Sequence, residues 1–261
     1  MSGGPVSLEP AATGVAWLTL DRPETRNALD WHMLDRIDAV LSEAEALDGL
    51  RVVLIRSTLD RVFVAGGDVA VMRDLQLLDG SRFVYAGQRL LRRLEDSSLV
   101  FVAVVGGYAL GGGFELALAC DLVIASETAV FGFPETGLGL LPGWGGTQRI
   151  VRAVSPQRAR ELVYTGRRVD AREAHTYGFV NRVTPQDELE AAAVELAGEI
   201  TRNSPTAVSH AKHALVHGSR ASLDQGLVLE AEAWLANLSS PNRVEGLSAF
   251  IEKREPRFTD N

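Results

Sequence analysis

The chain reads as an α/β protein, and three features of its sequence lead there. Short apolar runs rich in β-branched residues (positions 14–20, 51–55, 99–105 and 121–125) alternate with longer amphipathic segments. Glycine-rich turns follow the runs, at Gly66-Gly67 and across positions 106–113. Beyond Pro185 the runs stop and every segment has helical spacing. Such alternation predicts parallel strand pairing, because a right-handed crossover between parallel strands needs an intervening segment of this length. With 261 residues, 46% of them hydrophobic, the chain can bury a substantial core.

In order, positions 14–20 (GVAWLTL) predict a strand that stops at the turn Asp21-Arg22-Pro23. From Asp30, the recurrence of Met33, Leu34, Ile37, Val40 and Leu41 predicts a helix to about Leu47. Positions 51–55 (RVVLI) form a short buried strand, 63–68 a glycine-containing turn and 69–80 a segment of mixed character. Phe83, Val84, Leu90, Leu91 and Leu94 mark a second helix, and 99–105 (LVFVAVV) another buried strand. The glycines of 106–113 bend the chain into a helix through Glu115, Leu116 and Leu118, after which 121–125 returns as a strand. Helices are expected at 188–201, 205–216, 223–238 and 243–253, with Ser204 capping Pro205. The division expected is an α/β core over 1–195 and a helical region over 196–261, with no flexible linker.

Charge and composition exclude several classes of function. A net charge of −8 with no basic stripe argues against nucleic acid and against anionic membrane surfaces. No apolar run reaches the roughly 18 residues of a spanning helix, and MSGGPVSLEP lacks a charged segment followed by an apolar one, so a cytoplasmic protein is expected. The only cysteine, Cys120, excludes an internal disulfide and every multi-cysteine metal site, and in its apolar run it reads as a small buried hydrophobe. His210, His213 and His217 share one helical face, but three ligands along one straight helix span too far for one ion. They read as an interface or solvated stripe, and no metal is expected.

The glycine turns and two glutamates carry the chemistry. A turn opening into a helix presents unpaired N–H groups at the positive end of the helix dipole, and two such turns can grip one oxygen that gains negative charge. Tight packing of helix on strand explains the same glycines equally well. Nucleotide-binding and serine-hydrolase glycine motifs are absent. Glu115 stands between Phe114 and Leu116, and Glu135 follows the run Phe131-Gly132-Phe133-Pro134. Burial raises a carboxyl pKa, and two close carboxyls push their values apart, so one can hold a proton while the other is ionised. Water addition across a double bond needs such a pair, one group to take a proton and one to give it. A buried arginine partner for Glu115 and a turn cap at Glu135 are the alternatives that the residues leave open.

Taken together, the motifs resemble the crotonase superfamily, also called the enoyl-CoA hydratase/isomerase family. The likeness runs through Leu20-Asp21-Arg22-Pro23, Asn27-Ala28-Leu29, Phe63-Val64-Ala65-Gly66-Gly67-Asp68 and Gly107-Tyr108-Ala109-Leu110-Gly111-Gly112-Gly113-Phe114-Glu115-Leu116-Ala117. It continues in Phe131-Gly132-Phe133-Pro134-Glu135, Leu141-Pro142-Gly143-Trp144-Gly145-Gly146-Thr147-Gln148-Arg149 and Phe250-Ile251-Glu252-Lys253-Arg254.

The resemblance implies a spiral of repeated β-β-α turns and C-terminal helices that build homotrimers, commonly paired into hexamers. It implies that the N–H groups of Gly67 and Gly112 bind the thioester oxygen of an acyl-CoA, that Glu115 and Glu135 hold and activate water, and that Gly143 helps position it. Coenzyme A, part of the substrate rather than a cofactor, is implied to lie along Arg26, Ala28, Ala65, Asp68 and Val69, with Lys253 reaching a phosphate on a neighbouring subunit. Glu24 and Ala70 stand where relatives often carry lysine, which leaves Arg22, Arg26 and Lys253 as the cations for those phosphates. Trp144 replaces a common alanine, and its indole either narrows the acyl pocket or packs outward. Residues 71–80 are either a mobile wall over the acyl chain or an ordered helix. The activity implied is hydration of a trans-2-enoyl-CoA to a 3-hydroxyacyl-CoA, with Δ3,Δ2-enoyl-CoA isomerisation or another acyl-CoA lyase or hydrolase reaction as the alternative. A non-catalytic scaffold fits less well with both glutamates present.

Overall fold

A computed structural model describes residues 4–259. The first positions of the N-terminal MSGGPVSLEP stretch lie outside them. Strand β1 (Val6–Ala12) pairs antiparallel with β2 (Val15–Leu20), Val6 opposite Leu20. β1 has no periodic signature and contains Pro10, which a central strand would not tolerate; it occupies the sheet edge, with its register shifting between Pro10 and Ala12. Helix α1 (Trp31–Glu45) follows, its N-cap Asp30 accepting from the Met33 amide at 2.8 Å.

The chain then repeats one unit three times. β3 (Val52–Ser57) and β4 (Val62–Val64) lead into α2 (Val69–Asp74) and α3 (Leu77–Asp96). β5 (Val100–Val105) and β6 (Tyr108–Leu110) lead into α4 (Gly112–Ala119). β7 (Leu122–Ser126) and β8 (Val130–Gly132) lead through a 3-10 turn (Pro134–Leu138) into α5 (Gly146–Ala153) and α6 (Pro156–Thr165). The first strand of each unit joins one sheet and the second joins another, so the chain winds as a spiral. After β9 (Arg168–Asp170), α7 (Ala171–Tyr177) and β10 (Arg182–Thr184), the large sheet has the order β1-β2-β3-β5-β7-β10 and the small sheet β4-β6-β8-β9. Within the large sheet every pairing except β1–β2 is parallel, as the alternation predicts.

One face of the large sheet packs with α1, α3 and α4 into the main core. The other buries Val15, Trp17, Val52, Leu54 and Val102 under α8 (Leu189–Thr201), which inserts Leu189, Ala193 and Ala197. Residue 195 therefore falls inside a helix whose buried residues belong to the core, and the peripheral helices begin only at α9 (Pro205–Gly218), followed by α10 (Leu223–Leu238) and α11 (Pro241–Glu252). α9 is fastened by Lys212, whose buried ammonium donates to the carbonyls of Leu94 (2.7 Å) and Leu99 (2.6 Å) and to Asp121 (2.8 Å), using all three of its protons. Among the described residues no helix is long and apolar enough to cross a membrane, and no cluster of His, Cys, Asp or Glu is arranged to hold a metal ion.

Candidate active site

Glu115 sits in the first turn of α4 and is 2% exposed. Its Oε1 accepts from the Trp144 amide at 2.7 Å and from the Gly146 amide at 2.6 Å, where α5 begins. The positive end of α5 therefore faces the carboxylate. Phe114, stacked on Phe133 at 4.6 Å and packed on Phe131 and Phe179, anchors α4 in the core. Burial pushes the Glu115 carboxyl up to about 7, the charge of Glu135 adds to the rise, and the two amides and Arg149 oppose it.

Glu135 lies in the 3-10 turn after β8, and burial raises it too, to about 7. Its Oε2 is buried without a hydrogen-bond partner. A Cβ on Gly111 would fall 2.8 Å from its Oε1, so the carboxyl rests against the turn that opens α4. The two glutamates thus differ in kind. One oxygen of Glu115 accepts two backbone hydrogen bonds, whereas one oxygen of Glu135 has no partner.

Gly67 and Gly112 meet beside them: a Cβ on Gly112 would lie 3.4 Å from the Gly67 nitrogen. The Leu29 amide donates to Gly66 and the Asp68 amide donates to Leu29, a single parallel bridge that turns the intervening Gly67 amide to the opposite side. The Gly112 amide opens α4, where no intrahelical acceptor exists. These N–H groups, the two carboxyls, Ala65, Val69, Gly143 and Trp144 line one cavity of about 520 Å³. Its farther walls are Met72, Leu75 and Val84 and the leucines at 138, 140 and 141.

Trp144 points inward. Its ring lies edge-on to Phe83 at 5.1 Å, its Nε1 donates to the Phe83 carbonyl at 3.3 Å, and a Cβ on Gly112 would meet it at 2.5 Å. The indole therefore forms the wall beside the paired amides. Residues 71–80 are ordered as the end of α2, a two-residue joint at Leu75-Gln76, and the start of α3.

The other expected coenzyme-A positions are placed differently. Arg26 is exposed in left-handed backbone, and its carbonyl accepts from Ala65 at 3.1 Å. The Ala28 carbonyl accepts from Arg22, which also pairs with Asp30 at 2.7 Å, so Arg22 is committed within the chain. The Asp68 side chain caps α2 through the Ala70 and Val71 amides, and its own amide is spent on Leu29. Lys253 ends α11 and is absent from the cavity wall. Sequence reasoning did not single out Gly87, which seats the indole, or Glu95, which holds Arg149; the glycine inside an amphipathic helix was the available signal for the first, and the second had none.

Comparison with known proteins finds one family over nearly the whole chain. The family model described as enoyl-CoA hydratase/isomerase matches residues 11–261. The short-chain-enoyl-CoA hydratase of Clostridium acetobutylicum is 39% identical over 241 residues, 92% of each chain. The crotonyl-CoA hydratase of Syntrophomonas wolfei is 37% identical over 244 residues, 94% of each. The crystal structure of enoyl-CoA hydratase from Bacillus anthracis superposes with a TM-score of 0.94 at 36% identity, covering 98% of this chain and 100% of that one.

Proposed function

Because the chain belongs to the enoyl-CoA hydratase/isomerase family, and so has the crotonase fold, we propose that it adds water across the double bond of a trans-2-enoyl-CoA. The observation that carries this reading is the unequal pair of buried carboxyls beside two converging amides. Glu115, whose ionised form is favoured by two N–H groups and Arg149, takes a proton from water as the water oxygen bonds to C3. The electron pair of the double bond moves toward the thioester, and the Gly67 and Gly112 amides stabilise the enolate oxygen. Glu135, whose unsatisfied oxygen favours the protonated form, gives its proton to C2. The product gains one water in total, and transfer of one proton from Glu115 to Glu135 resets the pair. No electrons are exchanged with a cofactor.

Crotonyl-CoA tests the reading through the absorbance of its enoyl thioester. Loss of that band with wild type, abolished by Glu115→Gln and by Glu135→Gln, is the expected result. An unchanged band over a range of acyl lengths, with conversion of a 3-enoyl-CoA, would make the protein an isomerase instead. A homotrimer or hexamer belongs to the same proposal, supported by the exposed apolar residues Trp234, Phe250 and Ile251 on α10 and α11; light scattering measures it.

A further inference from the structure

The loop from Gly143 to Gly146 supplies both amides that bind Glu115, so whatever fixes this loop fixes the carboxylate. Its clamp is Arg149 of α5. The guanidinium donates through Nη1 to the Trp144 carbonyl at 2.8 Å, and through Nε and Nη2 to the two oxygens of Glu95 in α3 at 2.7 and 3.1 Å. Glu95 also binds Arg220, in the turn between α9 and α10. Gly145, at φ +108°, makes room for the clamp: a Cβ there would lie 2.2 Å from Arg149 Nη1.

We propose that Arg149 is a positioning residue for Glu115, and that Glu95 and Arg220 tie it to the C-terminal helices, so that the α9–α10 turn governs the geometry of the loop that binds the carboxylate. The inference rests on the reading of Glu115 as the base. A planar five-donor guanidinium can hold a carboxylate in bidentate fashion and still donate to a carbonyl, which an ammonium cannot do in the same geometry. Its charge also favours ionised Glu115. The charged groups facing Glu115 are Glu135 from the turn after β8, Arg149 from α5 and, behind it, Glu95 from α3. β4 and β5 bring no titratable side chain, and Tyr108 of β6 lies instead beside Arg168.

The test follows the Glu115 carboxyl by NMR in full-length protein labelled with carboxyl-13C glutamate, the signal assigned through Glu115→Gln, together with the pH dependence of crotonyl-CoA hydration. Arg149→Met should move the Glu115 titration upward by about one pH unit and lower kcat by about tenfold or more with little change in KM. Arg149→Lys should restore the titration but not the rate, and Arg220→Ala should shift the titration in the same direction by less. Arg220 is 33% exposed, so its variant carries the test if Arg149→Met does not fold. An unmoved Glu115 titration in a folded Arg149 or Arg220 variant overturns the inference even in an active hydratase. If the titration moves as stated but wild type hydrates no enoyl-CoA, the clamp stands and the hydratase reading falls.

Discussion

Replacing Gly87 with alanine should damage the protein although it improves a helix. Gly87 lies inside the 20-residue helix α3, where alanine in place of glycine is worth about 1 kcal/mol. The added Cβ, however, would sit 2.4–2.5 Å from three atoms of the Trp144 indole. The ring is only 5% exposed and wedged between Phe83 and the Gly67 and Gly112 turns, so it can yield only by pressing on those amides. Overpacking of this severity costs about 3 kcal/mol, which leaves a net loss of about 2 kcal/mol after the helical gain. With Trp144→Ala in the background the clash disappears and Gly87→Ala should stabilise by about 1 kcal/mol. The coupling between the sites is then about 3 kcal/mol. Urea unfolding of the four proteins, followed by circular dichroism at one fixed concentration, measures it. Equal stabilisation by Gly87→Ala in both backgrounds would refute the seat assigned to the indole.

Glu115→Gln keeps an oxygen for the Trp144 and Gly146 amides, so it should lower kcat by about 10²–10⁴-fold with little effect on crotonyl-CoA binding. The rate should follow a bell centred near pH 7, because both carboxyls titrate at about 7 and the working pair carries one proton; a rate that rises steadily to pH 10 would contradict this. The same shifts act on stability. A carboxyl raised from 4.5 to about 7 is favourable in the folded state below pH 4.5, and its contribution is lost as pH rises through 7, by about 3 kcal/mol per group. Glu115→Gln should therefore unfold later than wild type at pH 8 and not at pH 4, as thermal melts at the two pH values would show. Lys212→Met should cost about 3–5 kcal/mol by stranding Asp121, and adding Asp121→Asn should recover part of that loss in urea titrations.

What was legible in the sequence depended on the range of the signal. α1, α3 and α10 follow from apolar spacing, and β2, β3, β5 and β7 from unbroken apolar runs. The three-residue strands β4, β6, β8, β9 and β10 are too short to show alternation, which is why the residues alone suggested strand and helix in turn but not the two-sheet spiral. At the site, Glu115 and Glu135 stood out as charges in apolar surroundings, and ordered motifs supplied Gly67 and Gly112. The clamp left no trace, because Glu95 binds partners 54 and 125 positions away and nothing in local spacing records such a distance. The inward indole was likewise undecidable until Gly87 was seen facing it.

Lys212 has a consequence in time. Its acceptors close the ends of α3, β5 and α4, yet the side chain that satisfies them is made 91 residues after Asp121. At ribosomal speeds of about 5–20 residues per second, the carboxylate of Asp121 waits roughly 5–18 s for its counter-ion. During that interval Asp121 and two carbonyls lack the ammonium that binds them in the finished fold. A nascent chain halted before α9 is thus expected to be a client for chaperones and easily cut by protease near 94–99, whereas one released after α9 has docked is not.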